Sequence, residues 1–153
     1  MTANNSLHWR SFFKALNSAQ LDAISLAAEE VTYEEGALVF AENAPATMLC
    51  ILLEGEVDLF CVTEGEDSKL RELVVGSINP DEAFGLSALI GPHIYRAAAR
   101  AATRSRVLTI DAVKLRALCA ADVQLAYQLA LRVAETAMDR MYSTQVMLAA
   151  EAI

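Results

Sequence analysis

Residues 48–62 read MLCILLEGEVDLFCV. Met48–Leu53 and Val57–Val62 are apolar runs of strand length, and the polar Glu54-Gly55-Glu56 between them reads as a turn. Reading them as helices would require helices of about five residues, well below the usual length. The stretch is therefore strand–turn–strand, and the pattern continues on both sides. Upstream, Ala37–Ala41 follows Gly36 and stops at Asn43-Ala44-Pro45. Downstream, Glu64-Gly65-Glu66-Asp67 is a charged hairpin tip. Leu70–Ile78 is then a further strand, closed by Asn79-Pro80-Asp81. Arg96–Ala102 and Val107–Ile110 also read as strands, although Ala97-Ala98-Ala99 would suit a helix as well. Between them Gly85–Gly91, bounded by glycine at both ends, reads as one or two helical turns.

Helical periodicity flanks this block. In segment 7–28, Leu7, Phe12, Phe13, Leu16, Leu21, Ile24 and Ala27 recur at three- and four-residue steps. Asn17-Ser18 interrupts it, and Ser18 is placed to cap a second short helix. Asp111 is placed to cap a helix over 112–119, and Asp122 opens the longest periodic segment, to about Ala150. The expected fold is one α+β domain over 1–153. An antiparallel β-barrel or jelly roll (double-stranded β-helix) of about eight strands, 31–111 with the short helix 85–91, lies between N-terminal helices, 7–28, and C-terminal helices, 112–150.

Composition narrows the function. The chain has 153 residues, enough for one domain with a real core, and 55% hydrophobic against 21% charged residues excludes a disordered protein. Twelve Lys and Arg against twenty Asp and Glu give a net charge of −8, which disfavours general nucleic-acid binding. The charge is uneven: residues 29–82 carry fourteen acidic and two basic side chains, whereas 83–100 carry only Arg96 and Arg100. Cys50, Cys61 and Cys119 have no CxxC spacing, which argues against a zinc ribbon or a thioredoxin-type site. His8 and His93 are too few for a metal-dependent cupin. The acidic run has no EF-hand spacing and reads as a solvated face. No Ser/His/Asp order, P-loop or G-x-G-x-x-G is present, so no enzyme is expected. No apolar run approaches a membrane span and the N-terminus does not read as a secretory signal; the expected location is the cytoplasm, without metal or cofactor.

In the last helix Gln124, Gln128, Arg132, Glu135, Asp139 and Ser143 form one narrow polar stripe, and almost everything else is apolar. A helix that apolar needs cover on more than one side, which predicts a homodimer through 122–150.

Three stretches, in this order and spacing, resemble the cyclic nucleotide-binding domain, as in the effector domains of catabolite activator-type (CRP/FNR) regulators. They are Tyr33–Val57, Pro80–Leu89, and Tyr95–Ala102 followed by Val107–Asp111. The resemblance covers roughly residues 10–150, and the long last helix is similar to the family's dimerisation helix. It implies a phosphate-binding cassette at Gly85, Leu86, Ser87 and Ala88, with Arg96 and Ala97 on the following strand. Unpaired N–H groups at a helix start suit an anion, Gly85 lets backbone approach closely, and Arg96 offers a bidentate charge. Arg96 has an alternative reading, as a structural arginine paired with a carboxylate. Arg100, at an even spacing from Arg96, faces either the pocket or solvent.

The sequence also departs from the family. Leu86 stands where a Glu usually accepts the ribose 2′-hydroxyl, and Ala97 where a hydroxyl side chain is common. Losing one charged hydrogen bond costs about 1.5–3 kcal/mol, roughly ten- to hundredfold in affinity. Two functions follow. One is a regulatory sensor that binds a small phosphate-bearing ligand, cyclic AMP or cyclic GMP first among them, and signals through its C-terminal helices to a downstream protein. The other is a dimerisation or protein-interaction scaffold with an empty pocket. The family's regulators carry a helix-turn-helix after the long helix. This sequence ends at Ile153, so it is expected to be a stand-alone effector domain or part of a longer protein, without DNA binding of its own.

Overall fold

The computed structural model describes residues 11–152. Along the chain come α1 (Ser18–Leu26), β1 (Ala28–Tyr33), β2 (Leu38–Phe40), β3 (Met48–Glu54), β4 (Val57–Glu64), β5 (Leu70–Ile78) and β6 (Ala83–Phe84). A 3-10 helix (Leu86–Ala88), β7 (Ala98–Ala101), β8 (Ser105–Asp111), α2 (Ala112–Ala121) and α3 (Val123–Glu151) complete it. The strands make two four-stranded antiparallel sheets, ordered β1-β8-β3-β6 and β2-β7-β4-β5. This is the expected jelly roll, as two facing sheets rather than a closed ring.

The opening stretch folds as β3, turn and β4, but the two strands go to different sheets. β3 is buried from Leu49 to Leu53, as a continuous apolar run in a central strand requires. Gly55 makes the crossing, at φ +102°. A Cβ there would lie 2.3 Å from Ser105 Oγ and 2.7 Å from the Arg104 carbonyl. Ser105 is buried, and its hydroxyl donates to the Glu56 carbonyl. Gly55→Ala therefore combines a left-handed conformation with a backbone clash, and is expected to destabilise the domain by about 2–3 kcal/mol in denaturant unfolding.

The helical flanks differ from expectation in detail. Of segment 7–28, residues 7–10 lie outside the described residues, and Phe12–Leu16 forms turns rather than a helix. Phe12, Phe13 and Leu16 still join the core, with Phe12 and Phe13 meeting edge to face at 5.1 Å. Asn17, not Ser18, caps α1: its side chain accepts from Gln20 N at 2.8 Å, and the Gln20 side chain accepts from Asn17 N at 2.9 Å. That reciprocal box uses both side chains at once, which Ser18 could not do with its own third residue, Leu21. Strand β1 begins at Ala28, and the helix expected over 85–91 is only the three-residue 3-10 turn. Asp111 caps α2 through Lys114 N, and Asp122 caps α3 through Leu125 N.

The long helix α3 is two-faced. Leu125, Leu129 and Val133 are buried against the domain, whereas Val123 is 78% and Met138 63% exposed, with Tyr127, Leu131, Met141, Tyr142 and Leu148 also exposed. Part of the polar stripe lines a cleft against the sheet: Arg132 is half-buried there, while Asp139 and Ser143 border it and remain exposed. No helix among the described residues is long and apolar enough to cross a membrane.

Candidate functional site

The six expected site residues fall into two groups. Gly85 caps the 3-10 helix at φ +72°, and Leu86, Ser87 and Ala88 form it, packed beside β3. The amides of Ala88, Leu89 and Ile90 donate back to the carbonyls of Gly85, Leu86 and Ser87. This leaves the amides of Leu86 and Ser87 as the unpaired first-turn donors among the described residues. Leu86 packs on the core and offers no polar atom.

The space against Gly85 is filled by aromatic rings. A Cβ at Gly85 would lie 3.2 Å from the Met48 carbonyl and 3.3 Å from both the Phe40 and Tyr95 rings. Phe40 and Tyr95 stack with centroids 3.7 Å apart, and Phe84 lies 6.0 Å from Phe40. The Tyr95 hydroxyl donates to the Met48 carbonyl at 2.7 Å and accepts from Met48 N at 3.1 Å. Burial pushes the Tyr95 phenol up to about 12, so it remains a neutral donor. Gly85 is thus required by close packing, but the group that approaches it is the protein's own tyrosine.

Arg96 is not brought to this point. The strand expected over 96–102 begins only at Ala98; Arg96 and Ala97 lie in the bend before it, where Tyr95 is buried and Arg96 is exposed. Among the described residues its guanidinium makes no ion pair or hydrogen bond; only its carbonyl is used, accepting from Cys61 Sγ at 3.7 Å. Ala97 is half-buried and supplies no hydroxyl. Arg100 is on the outer face, where it grips Glu72 bidentately at 2.7 and 2.9 Å and lies 4.2 Å over the Phe60 ring. The Arg100 hydrogen bonds hold the Glu72 carboxyl below its ordinary pKa.

A cleft of about 310 Å³ opens nearby, between the sheet and α3. Leu59, Val75 and Ile78 form its apolar wall, and Arg132, Asp139, Arg140 and Ser143 face them from the helix. None of the six expected residues lines it. Arg132 donates to the Phe12 carbonyl at 2.9 Å and lies 5.1 Å over the Phe12 ring. Arg140 donates to the Ala83 carbonyl, and burial lowers its pKa against the opposing pull of Glu82. From α2, Arg116 donates to the Ala88 carbonyl at 2.6 Å. Sequence reading missed Tyr95, Arg116 and Arg140. Tyr95 is marked in the sequence only as the large aromatic next to Arg96, since the strand that follows begins at Ala98. Nothing local marks Arg116 or Arg140, whose acceptors are main-chain carbonyls far away in sequence.

The thiol of Cys50 is buried and its pKa is raised by that burial, which makes it packing material. Among the described residues no group of three or more His, Cys, Asp or Glu side chains could hold a metal ion.

Comparison with known proteins places this geometry. Residues 30–122 match the family model of the cyclic nucleotide-binding domain. A Geobacter metallireducens GS-15 protein described as cyclic nucleotide-binding is 35% identical over 85% of this chain and 91% of its own, with a TM-score of 0.75. The N-terminal domain of a transcriptional regulator from Streptomyces coelicolor A3(2) is 25% identical over 88% of this chain and 94% of its own, with a TM-score of 0.67. The c-di-GMP-responsive global regulator CLP of Xanthomonas campestris shares the fold, at 20% identity over 90% of this chain and 65% of its own, with a TM-score of 0.71. No curated protein matches the chain. With the jelly roll, the short 85–88 turn and the long last helix all in place, the chain belongs to the cyclic nucleotide-binding domain family.

Proposed function

We propose that this domain is a two-copy regulatory module that takes a small ligand in the cleft between the sheet and α3 and passes the effect to a downstream protein through that helix. The observation that carries this reading is the shared wall: one side of the cleft is sheet and the other is α3, so an occupant bears directly on how the helix is seated. A ligand that prefers one seating shifts the population toward it. No catalytic role is assigned.

The opposite side of α3 supports the second copy. Tyr127, Leu131, Ala134, Met138, Met141, Gln145 and Leu148 alternate four- and three-residue steps, the 3.5-residue period of a two-stranded seam. All seven are exposed in the single chain. Gln145 is the one polar member, and a lone polar residue in such a seam sets register.

Cyclic AMP and cyclic GMP are the first ligands to test; Arg96 and the Gly85–Ala88 turn do not line the cleft, so the phosphate reaches Arg96 only if that exposed side chain turns inward on binding. Isothermal titration is expected to give a saturable heat with at least one of them. Arg96→Ala is expected to weaken it about ten- to hundredfold without changing thermal unfolding, as loss of one charged hydrogen bond predicts. The second reading, an interaction scaffold without a ligand, is favoured by the Tyr95–Phe40 stack against Gly85 and by the apolar Leu86 and Ala97. Absence of heat at high micromolar nucleotide selects it.

A further inference from the structure

The segment Ala83–Ala88 is the least regular part of the jelly roll, and two arginines hold its two ends. β6 is an edge strand, only Ala83–Phe84 long, paired to β3 through Ile51 and Cys50. Leu52 N donates to the Glu82 carbonyl at 3.0 Å, so the Glu82 carbonyl faces β3. Carbonyls alternate along a strand, which turns the next one, at Ala83, toward the open edge. Arg140 of α3 donates to it. At the other end, Ala88 closes the 3-10 helix, where a terminal carbonyl has no partner within the turn. Arg116 of α2 donates to it at 2.6 Å. Ala83 and Ala88 are both buried, where an unpaired carbonyl is costly.

We propose that Arg140 and Arg116 are positioning residues that key the two C-terminal helices to the two ends of the 83–88 segment, so that segment and helices move as one unit. A cation donating to a buried carbonyl is a strong but breakable link, because neither group has another partner among the described residues. Displacing the segment therefore either drags α3 or leaves two buried carbonyls and two half-buried arginines unmatched. Glu82, one residue before Ala83, adds electrostatic attraction on the Arg140 side without an ion pair. The inference does not depend on any ligand, and it stands or falls separately from the nucleotide titration.

Amide hydrogen exchange on the ligand-free protein tests it. The reporters are Ala88, Leu89 and Ile90, whose amides close the 3-10 turn, and the part of α3 after Thr136. Arg140→Met keeps the apolar stem and removes the donor. It is expected to speed exchange about tenfold at both reporters, the effect of losing one charged hydrogen bond. Arg140→Lys, which restores a cationic donor, is expected to recover most of the protection. Arg132→Met, on the same helix but bonded to the Phe12 carbonyl, is expected to leave Ala88–Ile90 unchanged. Arg116→Met tests the other end independently, with faster exchange expected at Ala88–Ile90 and in α2. Uniform acceleration across all amides, or no change at Ala88–Ile90 in both Arg140→Met and Arg116→Met, would overturn the proposal.

Discussion

Leu131→Asp combined with Met138→Asp is expected to convert a two-copy protein into a monomer. Light scattering on the native protein should report twice 16.6 kDa, and on the double variant 16.6 kDa. Both residues belong to the exposed 3.5-residue stripe of α3, and both point away from the body, opposite Leu129 and Thr136. Met138 is 63% and Leu131 42% exposed in the single chain, so the substitutions cost the isolated fold less than they cost the seam. In a seam of two helices each would face its own copy, bringing like charges together where apolar side chains meet. Burying unpaired carboxylates there costs several kcal/mol, roughly a hundredfold to thousandfold in the dissociation constant. The seam flanks offer little compensation: Glu135 is already tied to Arg132 at 3.5 Å, and Ala130 and Ala137 are small and neutral. A native protein that runs as a monomer at all concentrations would sink the two-copy reading, leaving the apolar face for a different partner.

The largest single-site loss of stability is expected at Tyr95. Tyr95→Ala removes a ring that is 2% exposed, stacked on Phe40 and wedged against Gly85, and should cost about 3–5 kcal/mol in urea unfolding. Tyr95→Phe separates packing from polarity. It keeps the stack and deletes only the hydroxyl that bonds both the carbonyl and the amide of Met48, and should cost about 1–3 kcal/mol. If Tyr95→Ala cost less than the Phe variant, the ring would not be filling the space assigned to it. The pair also bears on the site, because Tyr95 holds the position beside Gly85 that an anion would need to reach.

Six of the eight strands and the long final helix were legible because each rests on local patterning; β1 and the two-residue β6 had no apolar run of their own. Apolar runs of strand length separated by Gly, Asn-Ala-Pro and charged tips leave few alternatives, and Asp111 and Asp122 cap their helices through their own third residues. Errors arose where nearby residues compete. Asn17 and Ser18 are both good caps, and only Gln20's reply to Asn17 decides between them. Phe12 and Phe13 were readable as apolar, but whether they sit on a helix or in a turn depends on what α3 presents to them, including Arg132.

The Gly85 segment was legible as a motif and not as an arrangement. The order of Gly85, Arg96 and the long helix indicated the family, because spacing along the chain survives in the sequence. What stands in front of Gly85 does not. Tyr95 and Phe40 come from either side of the crossing between the two sheets, and their stacking follows from the folding of β2 and the 90s loop around β3. The polar stripe of α3 was legible as a stripe, but that part of it borders a cleft is set by the sheet opposite. By itself, then, the sequence determined the jelly roll, the helix that flanks it and the family, since these follow from period, turn chemistry and motif order. The tertiary structure decided that Tyr95 rather than Arg96 faces Gly85, and that Arg116 and Arg140 secure the 83–88 segment. The two arginine contacts join residues 28 and 57 positions apart, and no local preference encodes which donor meets which carbonyl.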